Sequence, residues 1–176
     1  MLQKLAQHKP RLVNYARYRG VSLTPAGRAI ALQLIRRHRL LELYLVNALG
    51  YDWDEVDAEA RQLVRVISDE FEAKVASALG DPTLDPHGDP IPSPDGRVGE
   101  PGHLTLSAVR TGETVRVRRV GDDPALLHYL AQLGIRPPGG DHRHRKVSVR
   151  WSDPYQSQRA RVRARPHGCR RNLCGG

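Results

Sequence analysis

Cysteine is nearly missing from this chain, which has only Cys169 and Cys174, both close to the C-terminus. Two thiols so placed exclude a disulfide framework and read as incidental. Long apolar runs are absent as well, and the N-terminus lacks the charged start and small-residue cleavage site of a signal peptide. A cytoplasmic protein with no membrane partner is expected. Catalytic signatures are also missing. No Ser-His-Asp arrangement can be placed, no glycine-rich phosphate loop precedes a helix, and His38-Arg39-Leu40-Leu41-Glu42 lacks the second histidine of a zinc-protease helix. The chain is not read as an enzyme.

Basic charge is abundant but uneven. Lys and Arg number 28 against 19 Asp and Glu, a net charge of +9 over 176 residues, which points to an anionic partner such as DNA. From Asp141 onward lie ten of the basic residues and two of the acidic ones, so residues 1–140 keep 18 against 17. The high net charge mostly describes the tail. The first 23 residues are the exception, carrying Lys4, Lys9, Arg11, Arg17 and Arg19 with no acidic residue. This segment is the strongest nucleic-acid signal in the chain.

Local patterns place the elements. Met1 to Gln7 reads as the end of a helix, and residues 12–17 and 21–23 as two short strands around a turn containing Gly20. Thr24-Pro25 is a helix start, with Thr as N-cap and Pro where its missing N–H costs nothing, and Gly50 is a natural stop. Ile30, Leu34, Leu41, Leu45 and Leu49 form an apolar stripe, widened by Leu40, Leu43, Tyr44 and Val46. Its width suggests burial against a second surface, such as a dimer partner. Asp54 is expected to cap a helix over residues 55–67, and Ser68 another over residues 69–79. Residues 81–102 are rich in Pro, Gly and Asp and form a connector.

Strands follow, over residues 104–107 and 115–118, then a short helix from Pro124 to Leu133 closed by Gly134. The tail from Asp141 has one leucine and no Ile, Phe or Met, a composition suited to disorder. Either it is an out-of-frame reading of GC-rich codons, or it is a basic tail that touches phosphates.

Three blocks in fixed order carry a family resemblance: Leu23-Thr24-Pro25-Ala26-Gly27-Arg28, then His38 to Glu42, then Asp85-Pro86-His87-Gly88-Asp89-Pro90-Ile91-Pro92. They resemble the diphtheria-toxin-repressor family of iron- or manganese-dependent transcriptional repressors. The resemblance implies a mainly α fold: a winged-helix remnant over residues 1–24, a helical metal-binding and dimerisation domain over 25–92, a linker over 93–102, an incomplete SH3-like β domain over 103–140, and a tail over 141–176. It also implies a homodimer on double-stranded operator DNA, with Lys4, Arg17 and Arg19 as contacts. Residues 1–7 resemble the end of a recognition helix whose two preceding helices are absent, so Leu2, Leu5 and Ala6 are expected to face water.

His38 and Glu42, four apart on one helical face, match family ligands for iron(II) or manganese(II). The family's second cluster has a histidine where this chain has Asp57, a cysteine or acidic residue at Arg61, Glu at Val64 and His at Arg65. Only Asp57 keeps donor capacity, because guanidinium holds its proton and valine has no donor atom. The resemblance leaves one residual metal site, His38, Glu42 and Asp57, with Asp122 and Asp123 near where some members add a ligand. Two readings of Arg61 and Arg65 stand: a guanidinium replaces the cation beside Glu42 or Asp57, or both are solvated. Two functions follow: a metal-dependent DNA-binding repressor, or a metal-independent dimerisation fragment or decayed paralogue that does not bind DNA alone.

Overall fold

The computed structural model describes residues 3–16, 18–99, 104–110 and 113–137, with the backbone alone of residues 2, 146–150 and 161–164. Helix α1 (Leu2–Gln7) leads into a hairpin of β1 (Val13–Ala16) and β2 (Gly20–Leu23), antiparallel with Val13 opposite Leu23 and Ala16 opposite Gly20. Leu5 and Ala6 are half-buried rather than facing water, because α1 folds back on β1 and the Leu12 N–H donates to the Leu5 carbonyl at 3.2 Å.

The long helix α2 (Pro25–Leu49) starts as its sequence requires. The Thr24 hydroxyl accepts from the Gly27 N–H at 3.1 Å, satisfying one of the first-turn donors, and Gly50 closes the helix in the left-handed conformation. Gly27 has to be glycine, since a Cβ there would overlap the Leu12 carbonyl. That close approach seats the hairpin on the start of α2.

The C-terminal half of α2 is the hub of the molecule. Leu41 and Leu45 pack with Val56 and Ala60 of α3 (Val56–Leu63), while Leu40 and Leu43 pack with Val75 and Ala76 of α4 (Asp69–Ala78) and with Ile91. Spacings of three and four residues give α2 two apolar faces. The N-terminal half is different, with Ile30 and Leu34 44% and 47% exposed, and at the far C-terminal end Leu49 is 58% exposed. The expected stripe is thus buried only where α3 and α4 cover it.

Asp54 does not cap α3. The N-cap is Glu55, which makes no side-chain cap bond, and Asp54 Oδ2 instead lies 3.2 Å from His128 Nδ1. α3 also ends at Leu63, with tighter turns up to Ile67. Ser68 does cap α4, accepting from the Phe71 N–H at 3.2 Å.

Beyond the connector, residues 104–107 are not a strand; a 3-10 turn spans Leu106–Ala108, and Leu104 is exposed. β3 (Thr114–Arg116) is followed by α5 (Pro124–Gln132), capped by Asp123. Val120, Leu127, Leu130 and Ile135 close around Trp53 from the α2–α3 connection, so this SH3-like part is joined to the helices by a shared apolar core.

Two segments of the tail depart from its composition. β4 (Lys146–Arg150) and β5 (Arg161–Ala164) pair antiparallel in a three-stranded sheet of order β3-β4-β5, with Val115 opposite Val147 and Val149 opposite Val162. The missed signal is alternation: Val147-Ser148-Val149 and Val162-Arg163 carry the period of two that a strand needs, despite the excess of arginine.

Candidate metal centre

His38 and Glu42 lie one turn apart on α2 and face the start of α3. His38 Nε2 lies 3.1 Å from Glu42 Oε1 and 3.2 Å from Asp57 Oδ1. One donor atom from each residue falls within 4.8 Å of the others. Glu42 is buried, 3% exposed, while His38 and Asp57 are half-buried, so the cluster opens to solvent on the α3 side. The hydrogen bond to Glu42 raises the His38 pKa, burial works against it, and the charges of Glu42 and Asp57 add to the rise. One imidazole and two carboxylates suit a first-row divalent ion such as manganese(II) or iron(II), which fits this donor set.

The second family cluster does not fit a cation. Val64 packs against the core between α2 and α3, and Arg65 is exposed. Arg61 points its guanidinium back to Asp57, with Nε 2.9 and 2.7 Å from the two carboxylate oxygens. Of the two arginines considered for this role, Arg61 takes the place beside an acidic ligand.

On its inner side Glu42 meets the loop that sequence patterns read as a connector and as one block of the resemblance, but not as a metal-binding group. The loop 85–89 is buried throughout. Asp85 Oδ1 accepts from the backbone N–H groups of His87 (2.9 Å) and Asp89 (2.8 Å), which closes the loop on itself. Burial pushes the Asp85 carboxyl up to about 6. His87 Nε2 lies 2.8 Å from the Trp53 carbonyl and Nδ1 4.0 Å from Glu42 Oε2. Arg39 reaches both Asp85 (3.4 Å) and Asp89 (3.5 Å), and Arg119 reaches Asp89 at 2.6 Å. The available signal was a histidine between two aspartates in a stiff Pro/Gly segment, Asp85-Pro86-His87-Gly88-Asp89-Pro90.

Of the expected DNA contacts, Lys4 lies on α1 and Arg19 in the turn between β1 and β2, both exposed; Arg17 lies outside the described residues. Among the described residues no helix is long and apolar enough to cross a membrane.

Residues 24–93 match the model of the iron-dependent repressor, metal-binding and dimerisation domain, and residues 104–138 match the FeoA domain. The iron-dependent repressor IdeR of Mycobacterium tuberculosis is 40% identical over 139 residues, covering 72% of this chain and 60% of that protein. The diphtheria toxin repressor of Corynebacterium efficiens is 41% identical over 81 residues, 46% of this chain and 35% of the repressor. Among solved structures, a manganese-dependent transcriptional repressor in complex with manganese superposes with a TM-score of 0.73 at 39% identity, over 92% of this chain and 75% of that one. The chain spans about 60% of the length of the IdeR proteins it matches.

Proposed function

Because the chain belongs to the diphtheria-toxin-repressor family of metal-dependent transcriptional repressors, we propose that it is a cytoplasmic, metal-responsive, DNA-binding repressor that works as a homodimer. The observation that carries this reading is the convergence of His38, Glu42 and Asp57 on one point. There the three residues would hold manganese(II) or iron(II), and the ion would supply a positive charge that ties α2 to α3. Which of the two metals is bound is part of the proposal's test.

The protein's own residues do the rest. Exposed Ile30 and Leu34, one turn apart on α2, offer an apolar strip for a second copy. Lys4 and Arg19, with Arg17, supply phosphate or base-edge contacts in the basic N-terminal segment. Fixing two such segments in a dimer sets the spacing at which they meet an operator.

The test is fluorescence anisotropy of the purified chain on double-stranded operator-like palindromes, with manganese(II), with iron(II) under anaerobic conditions, and with chelator. Metal-dependent binding that weakens on Lys4→Ala or Arg19→Ala, with a shallower salt dependence, supports the reading. A dimer that binds no DNA under any metal condition overturns it.

One observation favours a second reading. Arg61 already pairs with Asp57, so a guanidinium neutralises part of the charge that a metal would neutralise. That favours a metal-independent dimerisation module. A dimer whose melting temperature ignores manganese would select it.

A further inference from the structure

Glu42 is a buried carboxylate whose ion-pair partners among the described residues are both histidines, one on each oxygen. Oε1 faces His38 Nε2 at 3.1 Å, and Oε2 faces His87 Nδ1 at 4.0 Å. The other buried carboxylates of this region are matched by guanidinium groups: Asp85 by Arg39, and Asp89 by Arg39 and Arg119. A buried carboxylate without a matching cation is costly, and an imidazole neutralises it only when protonated or bound to a metal.

The tautomer of His87 is fixed by its surroundings. Its Nε2 lies 2.8 Å from the Trp53 carbonyl, which can only accept, so Nε2 carries the hydrogen. In the neutral ring Nδ1 then presents a lone pair toward Glu42 Oε2, beyond hydrogen-bond reach. Lone pair facing lone pair is an arrangement suited to two ligands of one cation. Two bonds of about 2.1 Å span this separation at an open angle. The imidazole N–H held by a backbone carbonyl is also the usual outer support of a metal-bound histidine. Asp85 completes the set: one atom each from Glu42, Asp85 and His87 lies within 4.8 Å of the others, and all three residues are buried.

We propose that Glu42 bridges two divalent metal ions, an outer one on His38 and Asp57 and an inner one on Asp85 and His87. The inner site stands on its own donors; the bridge rests on the outer site proposed above. The inner ion would fasten the loop 85–89 to α2. That loop also touches the SH3-like part, through the Val120 N–H donating to the His87 carbonyl at 3.0 Å and the close approach of Gly88 to the Arg118 backbone. Occupancy of the inner site would therefore be felt at the join between the helices and the SH3-like part.

The experiment is a manganese(II) titration of the full chain, counting bound ions by equilibrium dialysis and reading their electron paramagnetic resonance. The chain is compared with Asp57→Asn at the outer site and with His87→Gln and Asp85→Asn at the inner one. Asp85→Asn keeps an oxygen to accept the His87 and Asp89 N–H groups, so it preserves the loop if His87→Gln does not. Two ions with a spin-coupled spectrum, falling to one uncoupled ion in Asp57→Asn and in the inner-site variants, is the expected result. One ion lost in Asp57→Asn but kept in Asp85→Asn overturns the inner site and leaves the metal-responsive reading intact. One ion lost in Asp85→Asn but kept in Asp57→Asn overturns the bridge and the outer site together. Two ions without spin coupling overturn the bridge, and no bound ion overturns both sites.

Discussion

Arg61 Nε sits 2.9 and 2.7 Å from the two oxygens of Asp57, and Asp57 Oδ1 is also 3.2 Å from His38 Nε2. A guanidinium and an imidazole therefore share one carboxylate. A metal ion on His38, Glu42 and Asp57 has to compete with Arg61 for Asp57. Arg61 is exposed, and an exposed ion pair is worth about 0.2–1 kcal/mol. Arg61→Ala is expected to tighten manganese(II) binding by about two- to fivefold. Isothermal titration calorimetry measures this, and unchanged affinity would mean that Arg61 does not compete.

The pH dependence has a definite sign. The hydrogen bond to Glu42 raises the His38 pKa above 6.5 in the folded chain. A group that binds its proton more tightly when folded contributes stability that is complete below its unfolded pKa and is lost as pH rises through the folded one. On this group's account the metal-free chain melts higher at about pH 6 than at about pH 8. Asp85 acts in the same direction at lower pH, its contribution disappearing between 3.8 and about 6. His38→Gln should reduce the difference between the two pH values in chelator. Saturating manganese should reverse it, because metal and proton compete for the same nitrogen. Thermal unfolding at both pH values reads each effect.

Glu72 holds α2 and α4 together through two arginines, with Oε1 3.0 Å from Arg36 Nε and Oε2 2.9 Å from Arg37 Nε. Its side chain is only 12% exposed, so its removal leaves two guanidinium groups partly desolvated. Arg36 keeps its bond to the Pro92 carbonyl and Arg37 its contact with Asp69. Glu72→Ala is expected to destabilise the fold by about 1–3 kcal/mol. Urea unfolding checks the value.

Gly88 adopts a φ of +84° and lies where a Cβ would overlap the Arg118 carbonyl. Gly88→Ala combines left-handed strain with a backbone clash, so the loop has to lift away from residues 118–120. A loss of about 2–4 kcal/mol is expected, together with altered Trp53 fluorescence, since Trp53 packs against Val120 and His87. Unchanged stability would show that the loop adjusts without leaving the SH3-like part.

Some features were legible in the sequence because they are local. Thr24-Pro25, Ser68 and Gly50 fix helix ends through bonds within a few residues, and a histidine four residues before a glutamate shares a helical face whatever surrounds it. The order of the three blocks was enough to place the chain in its family. Other features depend on groups far apart in sequence. Asp54 would cap a helix if left alone, but the core around Trp53 brings His128 within 3.2 Å, and Asp54 turns to it. Nothing near His87 in sequence shows that its two ring nitrogens meet Trp53 and Glu42, 34 and 45 positions away. Sequence alone determined which side chains carry donor atoms for a metal and which, like Val64 and Arg61, do not, since that is a property of each side chain. Tertiary structure decided that Glu42 is buried between two histidines, because only the packing of α2 against α3 and the loop brings those charges out of water.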